Sequence, residues 1–273
     1  MQYKKIFSAI AVCSSLFAAS LNAAPILSDV IFIVDESGSM GNVQANLRNN
    51  IGLFASILTG TGQVNAQYGL VGYGSRTVVP RMLTNLTDPT AFAIAAQGLR
   101  TNGGTEPGYT ATAFALNALD GQTSLFSFRT NAVKNIIILT DEPSNGDTTA
   151  RGTVGGSAVS SVVLDNLLTD NNALYNGVLR GTGTINSYST LIDDHSGAVF
   201  NLNLFNTTDQ TIVQSFVTDF AKRKLQEIID FCSLNPNDPA CSGGNQIPEP
   251  ASLALLGLGL VGLVAARRRN LLM

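Results

Sequence analysis

The chain has 273 residues, of which 45% are hydrophobic and 13% are charged, and its formal net charge is −3. This composition excludes intrinsic disorder, which needs low hydrophobicity and high charge, and it excludes a strongly basic nucleic-acid binder. The 3 Cys and 1 His are too few for a disulfide scaffold, a Cys-rich zinc domain or most His-based metal sites. Once two terminal segments are set aside, one domain remains that is large enough to bury its own core.

The first 24 residues have the order of a secretory signal peptide. Lys4 and Lys5 precede an apolar stretch over residues 6–21, and small residues end the segment before Pro25. The cleavage box is imperfect, so an uncleaved N-terminal anchor is the alternative. We expect residues 1–24 to direct export and to be removed.

The last segment, residues 247–273, combines three features in a fixed order. A Pro-Glu-Pro motif, an apolar stretch and an arginine cluster follow one another: Pro248, Glu249, Pro250, residues 251–266, Arg267, Arg268 and Arg269. A helix over the apolar stretch spans roughly 24 Å, which is marginal for a bilayer, and the arginines would stay on the cytoplasmic side. This order resembles the PEP-CTERM sorting signal of Gram-negative bacteria, which a membrane exosortase recognises and cuts. The resemblance implies export with a transient inner-membrane anchor through the C-terminal helix; a plain tail anchor is the alternative.

Between these segments the chain is acidic. Residues 25–248 carry 11 basic and 18 acidic side chains, a net charge of −7. Such a surface suits an extracellular setting or cation binding better than contact with phosphate, so we expect no nucleic-acid partner.

Cys232 and Cys241 are expected to form a local disulfide after export, with a free thiol pair as the alternative. We interpret residues 233–246, which contain this Cys loop, as a linker.

Strands and helices alternate along the expected domain, residues 25–232. A short apolar run rich in β-branched residues predicts a buried strand over 29–34, and an Ile-rich run predicts another over 133–140. In chain order, the patterns predict strand 29–34, helix 42–58, strands 68–73 and 77–83, helices 88–99 and 107–119, strand 133–140, a Gly-rich loop 143–157, helix 158–168, strands 173–179 and 198–205, and helix 209–230. This alternation predicts an α/β fold with a doubly wound, mostly parallel central sheet flanked by helices.

Carboxylates and hydroxyls follow the two buried strands. Asp35, Ser37 and Ser39 come after the first, Asp141 comes after the Ile-rich strand, and Thr105 lies in a Gly-Gly-Thr loop before a helix. In doubly wound sheets, ligands bind outside the carboxyl ends of strands, where the strand order reverses. If the two strands are neighbours there, these oxygen atoms face one crevice. An oxygen-only set suits Mg²⁺, Mn²⁺ or Ca²⁺ rather than Zn²⁺, and five such ligands leave one coordination position open.

The three loops resemble the metal-ion-dependent adhesion site of the von Willebrand factor type A (VWA) domain. The family's Asp-x-Ser-x-Ser motif matches Asp35, Ser37 and Ser39, its Thr matches Thr105, and its Asp after Leu-Thr matches Asp141. The resemblance runs from about residue 28 to 230. It implies a Rossmann-like VWA fold and a divalent cation bound by the two serines and the threonine, with the aspartates acting directly or through water. A partner's acidic group would take the open position. A domain that keeps the loops but functions without metal is the alternative.

The sequence therefore predicts an exported, non-enzymatic adhesion or interaction module at the cell surface or in the extracellular matrix. Its expected partner is a protein or polysaccharide that presents a carboxylate. Two other functions share these features. A metal-dependent hydrolase would need a general base near the metal, and a structural matrix component would use the metal for stability. The sequence has neither a Gly-x-Ser-x-Gly motif nor a lysine-bearing phosphate loop, and His195 comes just before a predicted strand, which favours a surface turn.

Overall fold

A computed structural model describes residues 24–76 and 79–241 of the chain. Residues 1–23 and 242–273 lie outside the described residues, and with them nearly all of the expected signal peptide, the end of the expected linker and the whole sorting signal. Within the described ranges, none of the helices combines the length and the apolar character needed to span a bilayer.

The centre of the fold is a six-stranded sheet. In chain order its strands are β1 (Ile26–Asp35), β2 (Val64–Tyr73), β3 (Arg81–Thr87), β4 (Ala132–Thr140), β7 (Leu174–Leu179) and β8 (Val199–Asn201), while β5 (Thr153–Val154) and β6 (Ser157–Ala158) form a separate hairpin. Across the sheet the order is β3-β2-β1-β4-β7-β8, and every neighbouring pair is parallel except β2 and β3. The order reverses between β1 and β4, so the predicted doubly wound, mostly parallel fold is confirmed.

Helices cover both faces of this sheet. One face carries α1 (Gly41–Thr59), α2 (Pro89–Ala95) and α6 (Gln210–Leu234), and the other carries α3 (Gly108–Ala115), α4 (Ser161–Asp170) and α5 (Thr182–Asp194). Successive side chains of β1 enter opposite cores: Phe32 and Val34 pack under the first set of helices, and Ile31 and Ile33 under the second. Where a strand is buried on both faces, successive residues are apolar, which explains the uninterrupted apolar run over residues 30–34.

A buried ion pair ties three elements together near the amino end of β1. The fully buried carboxylate of Asp29 accepts hydrogen bonds from the backbone N–H and the Nε of Arg129, each at 2.7 Å. The Arg129 guanidinium also donates to the carbonyl oxygens of Ser28, at 2.8 Å, and Asn65, at 3.0 Å. Burial raises the pKa of Asp29 even though Arg129 acts to lower it. The pair therefore fastens β2 and the segment before β4 onto β1.

The connection between β7 and β8 differs from the sequence prediction. Helix α5 was not predicted, and the predicted strand 198–205 is only the three-residue β8 followed by a 3₁₀ turn, Leu202–Leu204. The sequence of α5 is rich in Thr, Ser and Gly, which are weak helix formers, and it buries Thr184, Tyr188, Leu191 and Ile192. Packing of this one face against the sheet, rather than local propensity, forms the helix.

Two further element boundaries were wrong. The helix predicted over 107–119 ends at Ala115, because Asn117 adopts a left-handed conformation with φ of 60°. The strand predicted over 77–83 is β3, which runs over Arg81–Thr87 and pairs with β2 in antiparallel register. Thr77 and Val78 lie outside the described residues.

The expected linker begins inside the folded domain. Helix α6 continues to Leu234, and a 3₁₀ turn, Pro239–Cys241, packs against β1 and β4. Cys232 and Cys241 are joined with an S–S distance of 2.06 Å, and both are buried. Residues 233–241 therefore belong to the domain, because the Cys loop folds back onto the core instead of extending from it.

Candidate metal centre

Asp35 and Asp141 lie at the carboxyl ends of two neighbouring parallel strands. The register of β1 and β4 pairs Val34 with Leu139, so the last residue of β1 and the residue after β4 reach the same edge of the sheet. The strand order reverses between these two strands. This edge is where doubly wound sheets bind their ligands.

Asp35 is fully buried and is held by uncharged donors. Its Oδ1 accepts a hydrogen bond from the Ser37 backbone N–H at 2.7 Å, and its Oδ2 accepts one from the Thr140 hydroxyl at 2.9 Å. Burial raises the pKa of Asp35 to about 7, although both hydrogen bonds act to lower it. A nearby cation would favour the charged form of such a desolvated carboxyl group.

A continuous set of oxygen atoms links the two strand ends. The Ser39 hydroxyl donates to Asp141 Oδ1 at 2.9 Å and lies 3.1 Å from the Ser37 hydroxyl. Ser37 is buried and Ser39 is exposed, so the set opens onto the surface. Hydrogen bonds therefore connect four of the five predicted ligands, Asp35, Ser37, Ser39 and Asp141.

Thr105 lies on a third loop that runs beside Ser37. Gly103 forms an isolated parallel bridge with Ser37, and its N–H donates to the Glu36 carbonyl at 3.0 Å. A Cβ at Gly103 would lie 1.6 Å from the carbonyl oxygen of Gly74, so only glycine allows the Thr105 loop to approach the turn after β2 this closely. Within the described residues, no hydrogen bond joins the Thr105 hydroxyl to the other four side chains. The Thr105 loop therefore lies at this edge, but the Thr105 hydroxyl does not hydrogen-bond to the other four side chains.

A second buried ion pair anchors the loop that carries the two serines. The fully buried carboxylate of Glu36 pairs with Arg81 of β3 and accepts the Arg100 backbone N–H at 2.7 Å. A Cβ at Gly72 would lie 2.8 Å from the Glu36 carboxyl carbon, so a glycine in β2 makes room for this side chain. Glu36 therefore holds Asp35 and Ser37, its neighbours in the chain, against the sheet. The sequence patterns did not predict this role of Glu36.

Arg180 also contacts the site and was missed. It follows β7, the neighbour of β4, and its guanidinium forms an ion pair with Asp141 Oδ2. The Thr184 hydroxyl of α5 donates to the Asp141 carbonyl at 2.9 Å. The sequence contained a signal for Arg180. Ligands bind outside the carboxyl ends of the strands, and Arg180 directly follows the predicted strand 173–179 just as Asp141 follows the predicted strand 133–140.

Comparison with protein families decides the classification. A model of the von Willebrand factor type A domain matches residues 29–165, half of the chain. The chain belongs to the von Willebrand factor type A domain family. A second model, the PEP-CTERM protein-sorting motif, matches residues 246–269. The resemblances to the VWA domain and to the PEP-CTERM signal are thereby confirmed. VWA domains are typically adhesion or interaction modules, and the sorting motif implies export in a Gram-negative bacterium and processing by an exosortase.

Comparison with solved structures returns 210 matching chains. One of them is described as "Crystal Structure of the SpRpn10 VWA domain"; it is 16% identical, with a TM-score of 0.45, and the alignment covers 70% of this VWA chain and 94% of that chain. No curated protein sequence matches this VWA chain.

The donor set of the VWA domain fits a hard divalent cation. Its side-chain donors are carboxylate and hydroxyl oxygens, which Mg²⁺ and Ca²⁺ prefer. In the described part of the chain, no group of three or more His, Cys, Asp or Glu side chains could hold a metal ion.

The loop over 143–157 packs onto the start of α3. Asp147 Oδ1 accepts hydrogen bonds from the Thr110 backbone N–H at 2.8 Å and from its hydroxyl at 2.7 Å, and Oδ2 accepts one from Ser144 at 2.6 Å. Burial raises the pKa of Asp147. Asp147 therefore fixes the loop to the domain, whereas Glu142 is exposed next to Asp141 and contributes charge to the rim of the site.

Exosortase processing has a direct consequence for the length of the VWA protein. In a host that has an exosortase, the exported protein should lack the arginine cluster, because the cut lies before it. The intact mass of the protein recovered from the culture or the cell surface measures this. A C-terminus still at Met273 would support a plain tail anchor instead.

Proposed function

We propose that this exported VWA domain holds one Mg²⁺, Mn²⁺ or Ca²⁺ ion and through it binds an acidic group of a partner. The hydroxyls of Ser37, Ser39 and Thr105 bind the cation, and the carboxylates of Asp35 and Asp141 act on it directly or through water. The bound cation supplies an incompletely coordinated positive centre. The partner is a protein or polysaccharide that presents a carboxylate at the cell surface or in the extracellular matrix.

The observation that carries this proposal is the linked oxygen set at the reversal of strand order. The Ser37 and Ser39 hydroxyls lie 3.1 Å apart, and Ser39 lies 2.9 Å from Asp141, which is the spacing of neighbouring oxygen ligands around one small cation. Each carboxylate oxygen of Asp35 already accepts one hydrogen bond: Oδ1 from the Ser37 N–H and Oδ2 from the Thr140 hydroxyl. We assign it charge compensation and the orientation of Ser37.

The charge of the domain supports a cation-bridged partner. With a net charge of −7 over residues 25–248, the exported chain repels acidic surfaces. A carboxylate-bearing partner therefore needs a bridging positive charge to approach this edge of the sheet. A divalent cation whose coordination shell is completed by the partner's carboxylate provides that charge.

The same geometry supports binding rather than turnover. A hydrolase would need a proton-transfer group within reach of the metal-bound water. His195 lies near the opposite end of β7, where its carbonyl accepts the Tyr175 N–H at 3.3 Å and its ring lies 2.9 Å from Asp165. The imidazole is therefore not placed to act on water bound at this edge, and we propose that the domain acts by binding rather than by hydrolysis.

Ser39→Ala should weaken retention of the protein on immobilised polyglutamate and polyuronate, used as carboxylate probes, by about tenfold or more in Mg²⁺. The substitution removes an exposed ligand and no core packing, so the free energy of unfolding in chelator should change by about 0.5 kcal/mol or less. Ser56→Ala is the matched control, since Ser56 is also exposed and its hydroxyl bonds the Leu53 carbonyl in α1. Retention that is equal with and without chelator, or equal in both variants, would contradict the proposal.

A further inference from the structure

Arg180 reaches the candidate metal centre from a third strand of the sheet. It is the first residue after β7, and its side chain is 35% exposed. The carboxylate that it contacts, Asp141, is only 4% exposed. The guanidinium thus spans from the surface to a carboxylate that water hardly reaches.

The two oxygens of the Asp141 carboxylate have different partners. Oδ1 accepts the Ser39 hydroxyl at 2.9 Å, within the linked oxygen set, whereas Oδ2 pairs with Arg180. A nearly buried carboxylate is costly without a positive partner, and the guanidinium provides one. The charge of Asp141 is therefore already compensated without any added ion.

Asp35 differs from Asp141 in this respect. Its described hydrogen-bond donors, Ser37 and Thr140, are uncharged. A cation that binds between the two strand ends is attracted by both carboxylates. At Asp141, however, it is repelled by the positive charge of the Arg180 guanidinium. At close range two cations repel each other, so the guanidinium and a divalent ion cannot both hold this carboxylate without loss of free energy.

We propose that Arg180 is a built-in counter-ion that competes with the divalent cation for Asp141 and thereby sets the cation concentration at which the site loads. This rests on the proposed function and extends it to regulation. At low divalent-cation concentration the Arg180–Asp141 ion pair compensates the charge of Asp141 and stabilises this edge of the sheet. Loading of the site releases the guanidinium toward solvent, which its exposed position allows.

The proposal predicts tighter cation binding when the guanidinium is removed. In isothermal titration of the exported protein with MgCl₂, Arg180→Gln should bind about tenfold more tightly than the wild type, which corresponds to about 1.4 kcal/mol. Arg76→Gln is the matched control. Arg76 is exposed, and its backbone N–H bonds Asn102 in the loop before Thr105, so the control removes the same charge near this edge without touching Asp141.

A second readout does not require a binding isotherm. In chelator, Arg180→Gln should melt at a lower temperature than the wild type, because Asp141 loses its counter-ion. Saturating MgCl₂ should close this gap, since the cation takes over the charge compensation. A gap that is the same with and without Mg²⁺ would mean that the guanidinium and the cation do not compete.

The outcomes separate this inference from the proposed function. If Arg180→Gln binds Mg²⁺ more tightly than the wild type and Arg76→Gln does not, the competition is supported. Mg²⁺ binding by Arg180→Gln when the wild type shows none supports it as well. Equal binding by the wild type and Arg180→Gln, or an equal gain in Arg76→Gln, overturns the competition and leaves the metal site in place. If neither the wild type nor Arg180→Gln binds Mg²⁺, both the competition and the proposed metal site are overturned.

Discussion

Asp35→Asn should abolish measurable Mg²⁺ binding, with a loss of affinity of about a hundredfold or more, roughly 2.7 kcal/mol. Asparagine keeps the shape of the side chain and the acceptor for the Ser37 N–H, and its amide can still bond the Thr140 hydroxyl. What it removes is one of the two negative charges of the proposed site. The measurement is isothermal titration of the exported protein with MgCl₂.

The control for this substitution is Asp219→Asn, which removes the same charge from an exposed position on α6. It should bind Mg²⁺ like the wild type, because a single charge outside the site is screened by solvent and salt. If Asp35→Asn and Asp219→Asn bind Mg²⁺ equally well, the cation is held elsewhere on the protein.

The largest effect on stability is expected from Arg129→Met, which should lower the free energy of unfolding at pH 7 by about 3–5 kcal/mol. The substitution keeps most of the apolar stem but leaves the fully buried Asp29 carboxylate without its ion-pair partner. It also removes the hydrogen bonds to the carbonyl oxygens of Ser28 and Asn65. Denaturant unfolding at fixed pH measures the difference.

The destabilisation should depend on pH in a definite direction. Burial already raises the pKa of Asp29 in the wild type, and Arg129→Met removes the guanidinium, whose hydrogen bond and charge act to lower it. The backbone N–H of residue 129 still donates to Asp29, but with the guanidinium gone the pKa rises further. A carboxyl group whose pKa is higher in the folded than in the unfolded protein costs stability above its folded pKa. That cost fades as the pH falls toward the unfolded value of about 3.9. The deficit of Arg129→Met should therefore be smaller at pH 5 than at pH 7.

A double variant distinguishes the lost ion pair from lost packing. Arg129→Met combined with Asp29→Asn should recover much of the stability, because the uncompensated charge is gone. A double variant that is as unstable as the single one, with no change between pH 5 and pH 7, would mean that the packing of the arginine stem dominates.

The sequence was informative where hydrophobic pattern and strand ends decide the structure. The apolar runs around Ile31 and Ile137 have the length and β-branched content of buried strands, and both lie in the centre of the sheet. Because parallel neighbours end at the same edge, Asp35 and Asp141 were expected to lie together if their two strands are neighbours, and the sheet order shows that they are. The carboxyl-edge location of the candidate site therefore rests on short-range patterns.

Long-range partners were not predictable from such patterns. Glu36 finds Arg81, 45 residues away, and Asp29 finds Arg129, 100 residues away, through packing that no local spacing encodes. For Arg180 the end of the predicted strand 173–179 placed the residue at the same edge, but nothing in the local pattern paired its guanidinium with Asp141, 39 residues away. The electrostatics of the site thus depend on residues that only the three-dimensional arrangement brings together.

The most direct test of the central claim is a crystal structure of the exported protein grown with MnCl₂, with the anomalous difference map calculated at the manganese edge. We expect one peak at the carboxyl edge of β1 and β4, about 2.0–2.6 Å from the hydroxyl oxygens of Ser37 and Ser39, the range in which hard divalent cations bind oxygen. In the same map the Arg180 guanidinium should have moved away from Asp141. A peak at another place on the protein, or no peak at saturating MnCl₂, would contradict the proposed site.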